Sequence, residues 1–359
     1  MTAYDALLVV SFGGPERPED VVPFLANVTA GRGIPEERLR VVGEHYYRFG
    51  GVSPINEQNR ALIAAIESDL TTRDFHLPVY WGNRNWDPFL TGTARQMSAD
   101  GVTRALAFFT SAYSSYSGCR QYRENLADAV SAAGQLQVDR LGPYYNHPGF
   151  VLPFVDATVE ALQRLAPDVR DGARLVFTTH SLPVTLADTS GPDGGAYVAQ
   201  HRQVATWVSD AVAERTGVTR SWDLVFQSRS GPPTQPWLEP DVGDHVVGLH
   251  AQQVPAAVVV PIGFVSDHME VIWDLDTQAK EQADAVGMAF VRAATPGIDP
   301  RFVTMVGDLV AERLADVPVD ERRRMGGSPA APDRCAAGCC PNPRGPRPAL
   351  AGSDEGASA

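Results

Sequence analysis

The sequence predicts an α/β protein built from two doubly wound halves, each a parallel sheet with helices on both faces. Short apolar runs alternate with longer helical patterns along most of the 359 residues, which is the βα rhythm of such sheets. Some runs, such as residues 7–10 and 258–260, are apolar at every position, as strands buried on both faces must be. The length also suits two domains.

The predicted elements follow this rhythm in both halves. The first half has strands over residues 6–12, 78–81 and 105–113, with helices starting near Pro18 and covering about 88–99 and 120–133. The second half has strands over 174–179, 223–227, 256–265 and 289–292, with helices over about 196–215, 270–286 and 300–314. The predicted domains are therefore 1–150 and 151–316. A Pro-, Gly- and Arg-rich extension follows at 317–341, and residues 342–359 are predicted to be a disordered tail because they lack periodicity.

Composition and charge exclude several classes of protein. Thirty Lys and Arg face 43 Asp and Glu, a net charge of −13, which disfavours nucleic acid or an anionic membrane surface as the main partner. Any anionic ligand must then be met by locally placed cations. No apolar run approaches the roughly 18 residues of a transmembrane helix. The N-terminal segment has no basic residue before Arg17 and lacks the pattern of a secretory signal, so we expect a cytoplasmic protein with reduced thiols. Independently of this, we expect a monomer.

Ligands of doubly wound sheets bind beyond the carboxyl ends of the strands, so the segments there are the candidate sites. The turn at residues 11–15 contains two glycines but not the GxGxxG pattern of nucleotide-binding proteins. Residues 110–117 carry many hydroxyls and aromatic rings, which suits a flat ligand with polar edges. An ordinary polar loop is the alternative.

The most specific chemistry is predicted for His180 and Glu270, which follow two strands of the second half. Facing one another across a crevice, they could hold a divalent metal or act as a base and its orienting partner. A purely structural hydrogen-bonding role remains open for each. Asp274 lies four residues beyond Glu270, on the same predicted helical face. That pair forms either a cation-attracting row or a solvated acidic surface.

Together these segments resemble the ferrochelatases, enzymes that insert Fe(II) into a porphyrin, over residues 4–316. The matching segments are 11–15 (Ser-Phe-Gly-Gly-Pro), 50–56 (Gly-Gly-Val-Ser-Pro-Ile-Asn), 113–117 (Tyr-Ser-Ser-Tyr-Ser), 180–183 (His-Ser-Leu-Pro), 227–229 (Gln-Ser-Arg), 231–232 (Gly-Pro), 236–238 (Pro-Trp-Leu) and 261–270 (Pro-Ile-Gly-Phe-Val-Ser-Asp-His-Met-Glu). Each segment is weak alone, whereas all of them in the same order are highly specific. The resemblance implies two Rossmann-like domains of the chelatase type.

The resemblance also implies site residues. His180 and Glu270 would face the porphyrin centre and bind the incoming iron, and which of them takes the proton stays open. His268 would orient the loop, with Asp274 beside it on an iron path. The resemblance implies that Ser53 and Tyr122 contact the porphyrin. Phe12, Tyr116 and Trp237 would form the walls of the cleft, or else belong to the core.

Two departures from the family pattern bear on ligand binding. Relatives in the Gram-positive branch carry a metal-reaching Tyr where this sequence has Phe12, so axial ligation from that side is not expected. Arginines that meet substrate carboxylates in that branch are replaced by Thr29 and His45. The carboxylate clamps are therefore expected at Arg32, at Arg48 or at backbone groups.

The four cysteines form an unusual pattern, because Cys335, Cys339 and Cys340 lie close together while Cys119 lies far upstream. A Cys339–Cys340 disulfide would be strained, and zinc sites usually show CxxC pairs. Some ferrochelatases, including actinobacterial ones, hold a [2Fe–2S] cluster with one Cys from the hydroxyl-rich loop and three from a C-terminal extension. The resemblance therefore implies that these cysteines are the four cluster ligands; zinc and unligated thiols are the alternatives.

The resemblance to the actinobacterial branch implies coproporphyrin III as substrate, with ferrous iron as the second. The alternatives are a ferrochelatase acting on protoporphyrin IX and a haem or metal carrier without turnover. A cobalt or nickel chelatase is disfavoured, because the hydroxyl-rich loop follows the ferrochelatase pattern.

Overall fold

The computed structural model describes residues 4–231 and 234–353. Within these residues, two four-stranded parallel sheets follow one another, with strand orders 2-1-3-4 and 6-5-7-8. The strands are β1 (Ala6–Ser11), β2 (Val79–Asn83), β3 (Arg104–Phe109), β4 (Gln137–Arg140), β5 (Arg174–His180), β6 (Trp222–Gln227), β7 (Ala256–Val260) and β8 (Ala289–Arg292). The predicted α/β fold class is confirmed. Of the strands in the described residues, only β4 was not predicted, because it is short and polar.

Helices cover both sheets. In chain order they are α1 (Val21–Val28), α2 (Glu36–Tyr47), α3 (Ile55–Thr72), α4 (Leu90–Ala99), α5 (Gln121–Ala133), α6 (Pro148–Gln163), α7 (Pro167–Arg170), α8 (Val184–Asp188), α9 (Ala196–Thr216), α10 (Val242–Ala251), α11 (Met269–Val271), α12 (Lys280–Ala285) and α13 (Pro300–Leu314). Short 3₁₀ turns lie at Pro18–Asp20, Val319–Glu321 and Met325–Gly327. Two segments are π-helical, Tyr116–Arg120 before α5 and Ile272–Ala279 between α11 and α12, and such segments are frequent at functional sites.

One apolar core joins the two halves. It contains fully buried side chains from both sheets, including Leu7, Phe108, Phe177 and Val258. Helix α6 packs against α9 and α13 of the second half, and α13 also packs on α3 of the first. The predicted boundary at residue 150 falls inside α6 (Pro148–Gln163).

The chain beyond α13 returns to the N-terminal half. The Leu350 amide donates to the Arg123 carbonyl at 3.2 Å, and Cys335 forms a β-bridge with Gly352. Ala349 and Ala351 are buried. Over residues 342–353 the structure thus differs from the predicted disorder, because small side chains and backbone hydrogen bonds dock this segment on α5. Residues 354–359, also predicted as disordered, lie outside the described residues.

No helix within residues 4–231 and 234–353 combines the length and the hydrophobicity that a membrane-spanning segment needs.

Candidate active site

The turn after β1 admits only glycine at two positions. Gly13 has a φ of +81°, a conformation that favours glycine. A Cβ on Gly14 would lie 2.7 Å from Ile55 and 2.8 Å from Ser53. Ser53 is therefore buried directly behind the turn, at 4% exposure.

His180 ends β5, and its ring is oriented by its neighbour. Nδ1 lies within hydrogen-bond distance of the Ser181 carbonyl, which can only accept, so Nδ1 carries the proton. Nε2, the ring nitrogen left for proton exchange, lies 3.8 Å from Oε2 of Glu270. The two side chains are 31% and 48% exposed, so the pair can be reached from outside. The structure thus brings together the two residues that the sequence singled out.

His268 has a different role from His180. Its Nδ1 accepts the Glu270 backbone N–H at 3.2 Å and so caps α11. Its ring also packs edge-on against Phe264, with centroids 5.0 Å apart. His268 therefore fixes the backbone that carries Glu270, and its Nδ1 is occupied.

Asp274 joins the site through the end of β6. Gln227 donates from Nε2 to the Glu270 carbonyl at 3.1 Å and to Asp274 Oδ2 at 3.4 Å. The Ser228 hydroxyl donates to the same carboxylate oxygen. Asp274 lies in a π-helical segment rather than in the predicted α-helix, yet one glutamine connects it to Glu270.

Burial and neighbouring charges separate the pKa values of these groups. Burial lowers the pKa of His180, but the Glu270 carboxylate outweighs it, so the net pKa is raised. Burial raises the pKa of Glu270, but His180 brings it down to about 2. The pKa of Asp274 rises to about 7, through burial first and then the Glu270 charge. Burial lowers the pKa of His268. At neutral pH the site thus combines an ionised Glu270 with a basic imidazole, an arrangement suited to acid–base and metal chemistry.

An apolar wall fixes the Glu270 segment to the N-terminal half. Met269 and Trp273 pack with Phe24 and Tyr46 of α1 and α2. His45, which stands in place of a family arginine, stacks on Trp273 at 4.1 Å, and the guanidinium of the expected clamp Arg48 lies 5.0 Å from the same ring. The implied clamp at Arg48 is thus engaged with an aromatic ring.

Trp237 lies beside the His180 segment. It pairs with Pro183 in an antiparallel bridge. Gly231 packs against its indole so closely that a Cβ there would lie 2.3 Å from Nε1. The sequence thus identified a residue adjacent to the site.

Two more predicted residues, Phe12 and Tyr122, meet at Arg84. Its guanidinium lies 4.5 Å from the Tyr122 ring and 5.8 Å from the Phe12 ring. Phe12 packs edge-on against Phe24. Tyr122 is only 4% exposed, so a ligand would meet it mainly through Arg84.

Arg32, Arg84 and Arg344 form an arginine cluster around Tyr116. Burial, followed by the charges of Arg344 and Arg84, lowers the pKa of Arg32. The Arg344 guanidinium lies 3.7 Å from the position of a Cβ on Gly31, so the C-terminal extension reaches the α1–α2 connection. Like charges held together favour an anionic ligand. Neither Arg84 nor Arg344 was predicted as a site residue. Arg84 follows β2 directly, and Arg344 lies in the predicted tail.

Cys119, Cys335, Cys339 and Cys340 form one buried contact group, called here the thiol group. All four are free thiols. The sulfurs of Cys339 and Cys340 are 3.8 Å apart. A hydrogen bond with Cys335 and burial raise the pKa of Cys119 well above its usual value. The described residues contain no three His, Cys, Asp or Glu side chains placed to hold a single metal ion.

Known proteins match this chain over nearly its whole length. The ferrochelatase family model matches residues 4–314. The coproporphyrin III ferrochelatase of Streptomyces coelicolor is 57% identical, over 98% of this chain and 96% of that protein. The protein of the same name from Leifsonia xyli is 50% identical, over 98% and 94%.

A solved structure supports the fold. SirB from Bacillus subtilis with Fe³⁺ superposes with a TM-score of 0.50 at 11% identity, covering 87% of this chain and 98% of that one. At that identity the likeness concerns the fold alone. The matched family model and the identity to the curated relatives establish that the chain belongs to the ferrochelatase family.

Proposed function

We propose that this protein inserts ferrous iron into coproporphyrin III. The observation that carries the proposal is the His180–Glu270 pair, with Nε2 of a basic imidazole 3.8 Å from an ionised carboxylate and both side chains partly exposed. Both groups follow strands of one sheet, where ligands of this fold bind.

Metal insertion requires a base and a metal donor. Two pyrrole N–H bonds break, the ring nitrogens bond to iron, and two protons leave. In the proposal, His180 accepts protons at Nε2, because Glu270 raises its pKa. Glu270 stays ionised and holds the incoming Fe²⁺ before transfer, since carboxylates suit divalent cations.

Asp274 and His268 support this pair in different ways. Asp274, with a pKa of about 7, provides a second carboxylate, which passes iron or protons to Glu270. His268 acts by holding the Glu270 backbone through its capping hydrogen bond. We therefore propose an iron path through Asp274, with His268 as a positioning residue.

The porphyrin is proposed to lie between the Phe12, Tyr116 and Trp237 side chains. Ser53 and Tyr122, being buried, support that wall more than they line it. The arginine cluster supports coproporphyrin III over protoporphyrin IX, because coproporphyrin carries more propionates and each needs a cation or donor in an acidic protein.

Removing either Arg32 or Arg344 is expected to raise KM for coproporphyrin III about tenfold, as the loss of one charge-assisted hydrogen bond implies. The kcat should change little, because the His180–Glu270 pair is untouched. Steady-state kinetics of Arg32→Ala and Arg344→Ala measure this. Arg40→Ala is the matched control, since Arg40 is exposed and pairs with Glu36 within α2. Equal KM values in all three variants would contradict the clamp.

The substrate assignment is tested by comparing kcat/KM for Fe²⁺ insertion into coproporphyrin III and protoporphyrin IX under anaerobic conditions. We expect a clear preference for coproporphyrin III. A preference for protoporphyrin IX would contradict the assignment while leaving iron insertion intact. Porphyrin binding without turnover would favour the carrier instead.

We also propose that the thiol group holds a [2Fe–2S] cluster, which would supply one-electron redox chemistry and pin the extension to the N-terminal half. Four buried cysteines in one contact group fit the ligand set of such a cluster. The buried Arg140 guanidinium donates to two of these sulfurs, which fits thiolates better than neutral thiols. Single-ion zinc is less favoured by the placement of the sulfurs.

The protein is proposed to act as a monomer in the cytoplasm, where free thiols stay reduced.

A further inference from the structure

Arg140 ends β4 and is a buried cation in direct contact with the thiol group. It is 2% exposed. Its two terminal nitrogens donate to separate cysteines, with NH1 2.8 Å from the Cys119 sulfur and NH2 3.2 Å from the Cys335 sulfur. One guanidinium thus joins a sulfur of the hydroxyl-rich loop to a sulfur of the extension.

Arg140 also holds the backbone that carries Cys335. Its Nε donates to the Asp333 carbonyl at 3.0 Å, and NH2 donates to the Pro332 carbonyl at 3.3 Å. These acceptors lie two and three residues before Cys335 in the extension. Arg140 therefore fixes the position of the Cys335 sulfur twice, by a hydrogen bond to the sulfur itself and by hydrogen bonds to the nearby backbone carbonyls.

The cysteine sulfurs are well placed to balance the positive charge of Arg140, because they accept its hydrogen bonds. The nearby Asp333 carboxylate is already paired with Arg313 and Arg322, each at 2.7 Å. Arg123 is a second cation close enough to affect Cys119. A buried charge without a counter-charge is costly, and neutral thiols provide none. Metal-bound cysteines are thiolates, so a cluster bound here would supply the negative charge that faces Arg140.

We propose that Arg140 is the counter-ion of the thiol group and raises the reduction potential of the cluster bound there. The inference rests on the proposed [2Fe–2S] cluster. Reduction adds an electron, and hence negative charge, to the cluster. A buried cation that donates N–H hydrogen bonds to two ligand sulfurs stabilises the reduced form more than the oxidised form. Arg140 is a positioning residue, acting through Cys119 and Cys335.

The test compares the full-length wild type with Arg140→Gln and Arg140→Lys, purified anaerobically. Arg347→Gln is the control, because it also removes one positive charge from the region, but its guanidinium pairs with Asp128 at the surface. Iron and acid-labile sulfide are measured per chain. The cluster is then titrated with dithionite and followed by visible absorption and electron paramagnetic resonance. None of these readouts depends on iron insertion.

At the wild-type midpoint potential, Arg140→Gln is expected to show at least a tenfold lower ratio of reduced to oxidised cluster, a shift of about 59 mV for one electron. The potential of Arg140→Lys should fall between those of Arg140→Gln and the wild type. An ammonium keeps the positive charge but lacks the two terminal nitrogens that donate to separate sulfurs. Arg347→Gln should match the wild type.

Two results separate this inference from the cluster proposal. Wild-type iron content and potential in Arg140→Gln would overturn the role of Arg140 while the cluster stands. A wild type without iron and sulfide would overturn the cluster itself. Loss of the cluster from Arg140→Gln but not from Arg140→Lys supports the inference, because the variant that keeps the counter-ion then keeps the cluster.

Discussion

Replacing His180 by alanine is expected to lower kcat for iron insertion by about 10²–10⁴-fold, the usual contribution of a positioned general base. The Nε2 lone pair beside Glu270 is the proposed proton acceptor, and no acceptor replaces it in the variant. Porphyrin affinity should stay near that of the wild type, since the arginine cluster is unchanged. Anaerobic steady-state kinetics and porphyrin fluorescence titration measure the two quantities separately.

The matched control is His250→Ala, because His250 is exposed at the end of α10. Glu270→Gln is expected to raise KM for Fe²⁺ as well as lower kcat, since an amide keeps the shape but loses the charge that attracts iron. Near-normal turnover in His180→Ala would contradict the base assignment. A KM for Fe²⁺ unchanged by Glu270→Gln would contradict its role as metal donor.

The second large effect is expected from Cys119→Ser. The variant should lose the visible absorption, iron and sulfide of the cluster, because a serine hydroxyl is a poor substitute for a thiolate at iron. Thermal unfolding should also occur at a lower temperature. Loss of a metal centre is among the few single changes that cost more than about 4 kcal/mol of unfolding free energy, and here it also releases the extension from the N-terminal half.

Cys339→Ser should give the same loss from the other end of the chain, because both residues belong to one buried group. Ala337→Ser is the control: it places a hydroxyl at an exposed position of the same loop and removes no thiol. Wild-type iron content in Cys119→Ser, or one equivalent of zinc without colour in the wild type, would contradict the cluster.

The sequence predicted most of the fold because central parallel strands are apolar on both faces. Strands β1 and β7 are entirely buried, and every residue in them is apolar except Ser11 at the end of β1. Strand β4 was missed because the sequence of Gln137–Arg140 is mostly polar. Helix α6 was missed too: it contains Pro153, a residue that usually ends a helix.

Part of the candidate site could likewise be predicted from the sequence, and part could not. His180 and Glu270 could be found because each follows a recognisable strand. The contacts of Arg140 could not, because its partner Cys335 lies 195 residues away in the sequence. Arg344 was hidden in a segment without periodicity, which docks through backbone hydrogen bonds that leave no pattern in the side chains.

The most direct test of the account is a single-turnover measurement on wild-type protein saturated with coproporphyrin III and mixed anaerobically with ferrous iron. We predict that the porphyrin spectrum changes to that of the metallated product much faster than for the free porphyrin, and that His180→Ala removes the acceleration while still binding the porphyrin. Tight binding of the porphyrin by the wild type with metallation no faster than in buffer would contradict the account.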